Sequence, residues 1–400
     1  MKIVLINAVY GIMSTGRTYR ELHDYYVDCG HQCKVFYGEK KINLPDAVFM
    51  GGPVSHKIHA LCSRVTGKTG CYSINATRGL IRFLEKYQPD IVHLGNLHGN
   101  FINIPMLLRF LADKDYATVV TLHDCFFYTG GCTHYTLNKC YKWKEACGKC
   151  EYFREQGSLF FDRTKELFNL KKRCFQEIPR LGVVGVSEWI TNEAKCSPVF
   201  SNAKRIQKIF NWIDISKFRP VESRIKEELE ITDKYLILGV ASGWSDAKGL
   251  SDFIQLAGRL GPEYHIVLVG RMPVNLIFPD NMHSIPETES VDELVQYYAG
   301  SDVFVQLSKE ETFGKVVAEA LACGTPAVVY DSTAAPELVT GGCGAVVSPQ
   351  DGIEGIRLAI SQITALGKQC YQEQCRSRAE LLFSKNNNCE KMLSLYEMIQ

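Results

Sequence analysis

The feature that most constrains this chain is the alternation of short, uninterrupted apolar runs with longer amphipathic stretches. Runs at 3–6, 33–37, 91–94, 118–122 and 183–186 form a first set. Runs at 206–210, 236–240, 266–269, 303–307, 327–330 and 345–347 form a second. A strand with one wet face alternates apolar and polar residues, whereas a strand that is apolar throughout is buried on both faces, as in a parallel sheet covered by helices. Helical periodicity at 18–28, 74–87, 250–260, 291–299 and 316–323 falls between the runs. The pattern predicts α/β units built on parallel sheets.

A length of 400 residues suits two or three domains. The clearest boundary is the segment 211–220, which follows an apolar run, ends in Pro220 and leads into the charged stretch 222–230. The expected division is two doubly wound, Rossmann-like domains, 1–205 and 206–385, with a last helical stretch at 386–400. Residues 124–160, rich in Cys, Tyr, Phe, Gly and Lys, break the alternation. A long irregular insert in a compact domain usually has a function.

Lys and Arg number 45 against 44 Asp and Glu, so the net charge is +1 and nothing supports a nucleic-acid partner. No apolar run reaches the ~18–20 residues needed to span a bilayer. The start turns polar too soon for a signal-peptide core. A cytoplasmic chain is therefore expected, with its 16 cysteines as thiols or metal ligands rather than disulfides.

Ser308-Lys-Glu-Glu-Thr-Phe-Gly-Lys-Val-Val-Ala-Glu-Ala-Leu-Ala-Cys-Gly-Thr-Pro326 follows the run 303–307 and opens a helix. Ligands of open α/β sheets bind where strands end and helices begin. The backbone N–H groups near Gly314 and Lys315 suit an anion at a helix start. Glu311 lies in the loop and Glu319 just over one turn into the helix, where it suits a diol such as a ribose. Lys248, in Ala241-Ser-Gly-Trp-Ser-Asp-Ala-Lys-Gly-Leu250, lies at another helix start, where its charge suits an anion. His123 ends the run 118–122, while Asn96 and His98 follow the run 91–94.

Within the insert, Cys132, Cys140, Cys147 and Cys150 include a C-x2-C pair, a spacing that fits a closed tetrahedral zinc site. The alternatives are buried thiols packed around Trp143, or a disulfide. Arg163, Lys165 and Lys171-Lys-Arg173 form a basic cluster, either a solvated helix face or a contact for anionic lipid headgroups. Two weak matches are set aside. Cys62-x4-Gly67-Lys68-Thr69 lacks the first glycine of a phosphate loop, and Asp113-Lys-Asp115 precedes its strand, at the wrong end of a sheet for a ligand.

The Glu311–Glu319 pair resembles the E-x7-E motif of bacterial glycosyltransferases of the family 4, group 1 type, and the likeness covers nearly the whole chain. Ser14-Thr-Gly16-Arg17 resembles the family's N-terminal glycine loop. The segment 90–99 resembles its acceptor-side stretch. Thr121-Leu-His-Asp-Cys-Phe-Phe-Tyr-Thr-Gly-Gly-Cys132 is similar to a capsule and exopolysaccharide branch, related to colanic-acid transferases. Asn211-Trp-Ile-Asp214 resembles the interdomain linker, and 388–399 the helix that crosses back to the first domain.

The resemblance implies the GT-B fold, two Rossmann-like domains facing across a cleft. It implies a nucleotide-diphosphate sugar donor of the UDP or GDP type. The acceptor implied is a saccharide, lipid-linked in capsule, exopolysaccharide or O-antigen synthesis, with peripheral contact at the inner face of the membrane. Retention and metal-independent chemistry follow. On that basis His123, Glu311 and Lys248 are the catalytic candidates. Gly16, Arg271, Phe313, Gly314, Lys315 and Glu319 are donor-binding candidates, and Asn96 and His98 face the acceptor. Two departures stand out. The Arg that many relatives carry just before Lys248 is absent, with Arg271 as its candidate substitute. Gly95-Asn96 replaces the His-Asn of the branch. Rival expectations are an epimerase or phosphorylase on the same fold, or a non-catalytic zinc-stabilised scaffold.

Overall fold

The computed structural model describes residues 1–42, 44–274, 276–340 and 342–400. They form two units, Met1–Ile209 with Cys389–Gln400, and Phe210–Asn388.

The first unit is built on seven strands: β1 (Lys2–Asn7), β2 (Gln32–Tyr37), β3 (Ala47–Phe49), β4 (Ile91–Leu94), β5 (Thr118–Leu122), β6 (Leu181–Gly185) and β7 (Arg205–Lys208). Their order is β3-β2-β1-β4-β5-β6-β7, and every pairing is parallel. The second unit has six: β8 (Tyr235–Gly243), β9 (Tyr264–Arg271), β10 (Met282–Ile285), β11 (Val303–Gln306), β12 (Ala327–Tyr330) and β13 (Gly344–Val347). Their order is β10-β9-β8-β11-β12-β13, again all parallel. The apolar runs explain the choice of a parallel sheet. Ile3 to Ile6 in β1 and Leu236 to Leu238 in β8 are fully buried, so both faces of each strand are covered.

Both sheets reverse their winding between the first and fourth strand, β1 and β4 in one, β8 and β11 in the other. That switch point is where open α/β sheets leave a crevice at the carboxyl ends of the strands. In the second unit the crevice rests on a core in which Ile237, Ile266, Val305 and Val328 meet Phe253, Leu256, Ile356 and Ile360.

The run at 206–210, grouped by its pattern with the second set, belongs elsewhere. Its strand, β7, instead pairs with β6 through Gly182–Arg205 and Val183–Ile206, so the first unit ends at Ile209 rather than at 205. The last helix, Lys385–Ile399, enters the first unit at Cys389. There Tyr396 bonds through its hydroxyl to Tyr26 and His93, and Ile399 packs on Gly182.

Candidate active site

In the second unit, β8 and β11 are neighbours, so the loops that follow them lie side by side. The Lys309 amide donates to the Ala247 carbonyl at 3.0 Å, tying the two loops together. Gly249 turns the first loop with φ +80, and a Cβ there would lie 2.4 Å from the Leu307 carbonyl oxygen. Only glycine lets the two backbones approach so closely. The result joins Lys248 and Glu311: Nζ is 2.5 Å from Oε1. The Glu311 amide donates to Thr333 Oγ1 at 2.8 Å, and Gln306 Nε2 lies 3.4 Å from the same Oε1. Gly314, with φ +95, turns the chain into the helix Lys315–Ala322, whose first amides carry the positive end of its dipole. Glu319 is buried one turn later, and Tyr298 donates its hydroxyl to Oε2 at 3.0 Å.

Arg271 ends β9 beside Gly243. Its Nε donates to the Ser242 carbonyl at 3.2 Å, which places it beside the end of β8, the stretch from which the expected arginine is missing. Phe313 behaves differently from the other motif residues. Its ring is buried 5.5 Å from Phe383 and 6.0 Å from Phe210, so its side chain serves packing, not a ligand.

In the first unit the switch point is tied by Asn7, whose Oδ1 accepts from the Asn96 amide at 2.7 Å. A Cβ on Gly95 would fall 2.5 Å from both that oxygen and the Tyr19 hydroxyl, so Tyr19 fills the space a side chain would need. His98 Nε2 lies 2.8 Å from Asp124 Oδ2. Burial opposes the charge on His98, but the bond and charge of Asp124 outweigh it and raise its pKa. Burial also opposes the charge on Asp124, yet His98 and the Phe126 amide hold its carboxyl below the usual range. His123 directly follows β5, with its ring 5.9 Å from that of Tyr19. His93 belongs to the core. It meets Thr121 at 2.7 Å and Tyr396 at 2.6 Å, and burial pushes its pKa down to about 3. Gly16 lies in the helix Met13–Asp28, not in a loop, packed on the Val9–Tyr10 backbone.

The insert is held by aromatic packing. Trp143 is buried 4.8 Å from Tyr128 and 5.3 Å from Tyr135, ring to ring. Cys132, Cys140, Cys147 and Cys150 are free thiols. Cys147 Sγ accepts from the Gly130 amide at 3.1 Å. Among the described residues, no group of three or more His, Cys, Asp or Glu side chains is arranged to hold a metal ion. The basic cluster at 163–173 is not uniformly solvated. Lys171 is buried, donates to the Phe126 carbonyl and lies 4.0 Å over the Phe126 ring, so it is not part of a solvated face. Burial lowers its pKa to about 8 despite the nearby Cys147, Cys132 and Asp124.

Partners that the sequence reading missed are Tyr298, Gln306, Thr333 and Asp124. Gln306 lies on the strand just before Glu311, whereas Tyr298, Thr333 and Asp124 are far in sequence from the groups they meet, and the sheet order brings those together.

The family model for glycosyl transferases group 1 matches residues 221–380, which hold Lys248, Glu311 and Glu319. That for glycosyltransferase family 4 matches 15–152, which hold Asn96, His98 and His123. The chain belongs to these glycosyltransferases. The transferase is 24% identical, over 77% of its length and 76% of the relative, to the putative colanic acid biosynthesis glycosyl transferase WcaC of Escherichia coli. It is 26% identical, over 54% of its length and 58% of the relative, to the N-acetyl-alpha-D-glucosaminyl L-malate synthase of Bacillus anthracis. Among solved structures, the transferase is similar to sucrose-phosphate synthase from Thermosynechococcus elongatus, with TM-score 0.72 and 17% identity, covering 100% of this chain and 99% of the other. The Anabaena HepE structure with UDP gives TM-score 0.67 at 15% identity, covering 100% of both chains. These likenesses establish the GT-B fold. No helix of the transferase is long and apolar enough to cross a membrane among the described residues.

Proposed function

We propose that this transferase moves a sugar from a nucleoside-diphosphate donor to a lipid-linked saccharide acceptor in surface polysaccharide synthesis, with retention at the anomeric carbon. The observation that carries the reading is the grouping of Lys248, Glu311, the Gly314–Lys315 amides and Glu319 at one switch point. Lys248 and the helix amides meet the charge that develops on the departing diphosphate. Glu311 holds the sugar, and Glu319, oriented by Tyr298, accepts from the ribose hydroxyls. His123 acts on the sugar side of the reaction, while Asn96 and His98 serve the acceptor. The reading uses no metal step.

The nucleoside is of the UDP or GDP type. HepE was solved with UDP-glucose, and a relative from Mycobacterium tuberculosis is named as a GDP-mannose-dependent mannosyltransferase. Structural zinc on the four insert cysteines is supported by their spacing, not by their arrangement. One equivalent of zinc in the purified protein, with loss of stability on chelation, would support it. Metal-free protein of normal stability and activity would contradict it.

The test of the reading is incubation with UDP- and GDP-sugars and a lipid-linked oligosaccharide extract. Sugar transfer with an α-configured product from an α-configured donor is expected. Release of diphosphate with an isomerised sugar and no transfer would replace the reading with an epimerase.

A further inference from the structure

The bond between Tyr298 and Glu319 joins two helices, Val291–Gly300 and Lys315–Ala322. The last carbonyls of a helix have no partner within it and need donors from elsewhere. Here one further element supplies them to both helices. Lys368 stands at the start of the helix Gln369–Phe383. Its Nζ lies 2.5 Å from the Ala299 carbonyl, 3.0 Å from that of Ser301 and 3.5 Å from that of Tyr298 itself. Farther along the same helix, Arg376 Nη1 donates at 3.0 Å to the carbonyl of Ala322, the last residue of the Glu319 helix. Its guanidinium also holds the Phe218 carbonyl at 2.7 Å and that of Ile215 at 3.0 Å. The Phe218 ring lies 6.1 Å from the Tyr298 ring, so Arg376 supports both partners of the bond.

Charge explains why cations serve here. A cation at the carboxyl end of a helix meets the negative end of its dipole. Asp302, the acid whose charge reaches Lys368, is engaged elsewhere: it pairs with Lys226 at 2.6 Å and accepts from the Leu236 amide at 2.6 Å. The Lys368 ammonium is thus directed at carbonyls. Arg376 pairs with Glu380 through Nε at 2.6 Å, which leaves its Nη atoms for the carbonyls. Thr325, just past the Glu319 helix, adds a neutral tie, its hydroxyl donating to the Tyr298 carbonyl at 2.6 Å. The two helices capped by one element are the two that carry Tyr298 and Glu319.

We infer that Lys368 and Arg376 are positioning residues of the donor site, which set the Tyr298–Glu319 bond by fixing the helices that carry it. The inference deepens the reading of Glu319 as the ribose ligand and rests on it.

The test is a set of double-substitution cycles, read by calorimetric titration of UDP and GDP into the full chain, with melting temperatures measured on the same samples. Lys368→Met, which keeps the stem, and Arg376→Met should each weaken the nucleotide that wild type binds by about two- to tenfold, within the worth of one hydrogen bond. Residues that act through one contact are not additive. Lys368→Met should therefore weaken binding no further in a Tyr298→Phe background, and neither substitution should do so in a Glu319→Ala background. Should either single variant fail to fold, Lys368→Gln or Arg376→Lys, which still donate to carbonyls, take its place in the cycle. Wild-type affinity in the single variants, or losses that persist undiminished in both backgrounds, would make the two cations caps of stability alone and overturn the inference. Wild-type affinity in Glu319→Ala itself would overturn the ribose reading and this inference with it, a result distinguishable from the first.

Discussion

Lys248 Nζ stands 2.5 Å from Glu311 Oε1, so the cation assigned to the leaving diphosphate is held by the carboxylate assigned to the sugar. A bound diphosphate must compete with Glu311 for Lys248. Glu311→Gln should therefore leave nucleoside-diphosphate affinity unchanged or tighter while abolishing sugar transfer. Lys248→Ala should weaken that affinity by about tenfold or more, the loss of a charged hydrogen bond. Calorimetry paired with a transfer assay checks both, and weaker binding in Glu311→Gln would contradict the competition.

Tyr298 reaches Glu319 from the helix Val291–Gly300, with its hydroxyl 3.0 Å from Oε2. Tyr298→Phe keeps the ring and removes the bond. Nucleotide affinity should fall by about 0.5–1.5 kcal/mol, the worth of one hydrogen bond, with little change in melting temperature. Titration of the donor diphosphate into both proteins measures it. Equal affinities would mean that Tyr298 does not orient Glu319.

The His98–Asp124 pair gives the first unit a pH dependence of definite sign. The folded state holds the His98 proton more tightly than the unfolded chain, where the pKa is about 6.5. Its stabilisation is full below that value and fades as pH rises through the raised folded pKa. His98→Gln should lower the melting temperature more at pH 6 than at pH 9. A gap that does not shrink with pH would show that packing, not charge, is what His98 contributes.

Lys171 gives the opposite trend in alkali. Its folded pKa is about 8 against an ordinary 10.5, because burial disfavours the charge. Between those values the unfolded chain binds more protons, so the group's contribution to stability grows as pH rises. Lys171→Met, which keeps the stem, should narrow its stability advantage over wild type between pH 8 and pH 10. Melting curves across that range decide it, and parallel curves would place the ammonium in a wetter site.

The strands were legible wherever they were apolar on both sides, as in β1, β4, β5 and β11. The short β3 and β10 carry too few apolar residues to announce themselves, and β7, Arg-Ile-Gln-Lys, is a half-wet edge strand whose sheet only pairing decides. The order of charged residues around Glu311 and Glu319 was legible because the motif lies on one strand–loop–helix. Phe313 shares that motif yet turns into an aromatic core, because Phe210 and Phe383 come from distant segments. Lys171 carried a signal that composition hid. In the helix Thr164–Gln176 it falls on the same stripe as the buried Leu167, Phe168, Cys174 and Phe175.

The most direct measurement of the central claim is calorimetric titration of UDP and GDP into wild type and Glu319→Ala. The account predicts that one of the two binds wild type and that the substitution weakens it by about 1.5–3 kcal/mol, the worth of charge-assisted hydrogen bonds. Equal affinity of the two proteins for the same nucleotide, or no binding of either nucleotide by wild type, would contradict it.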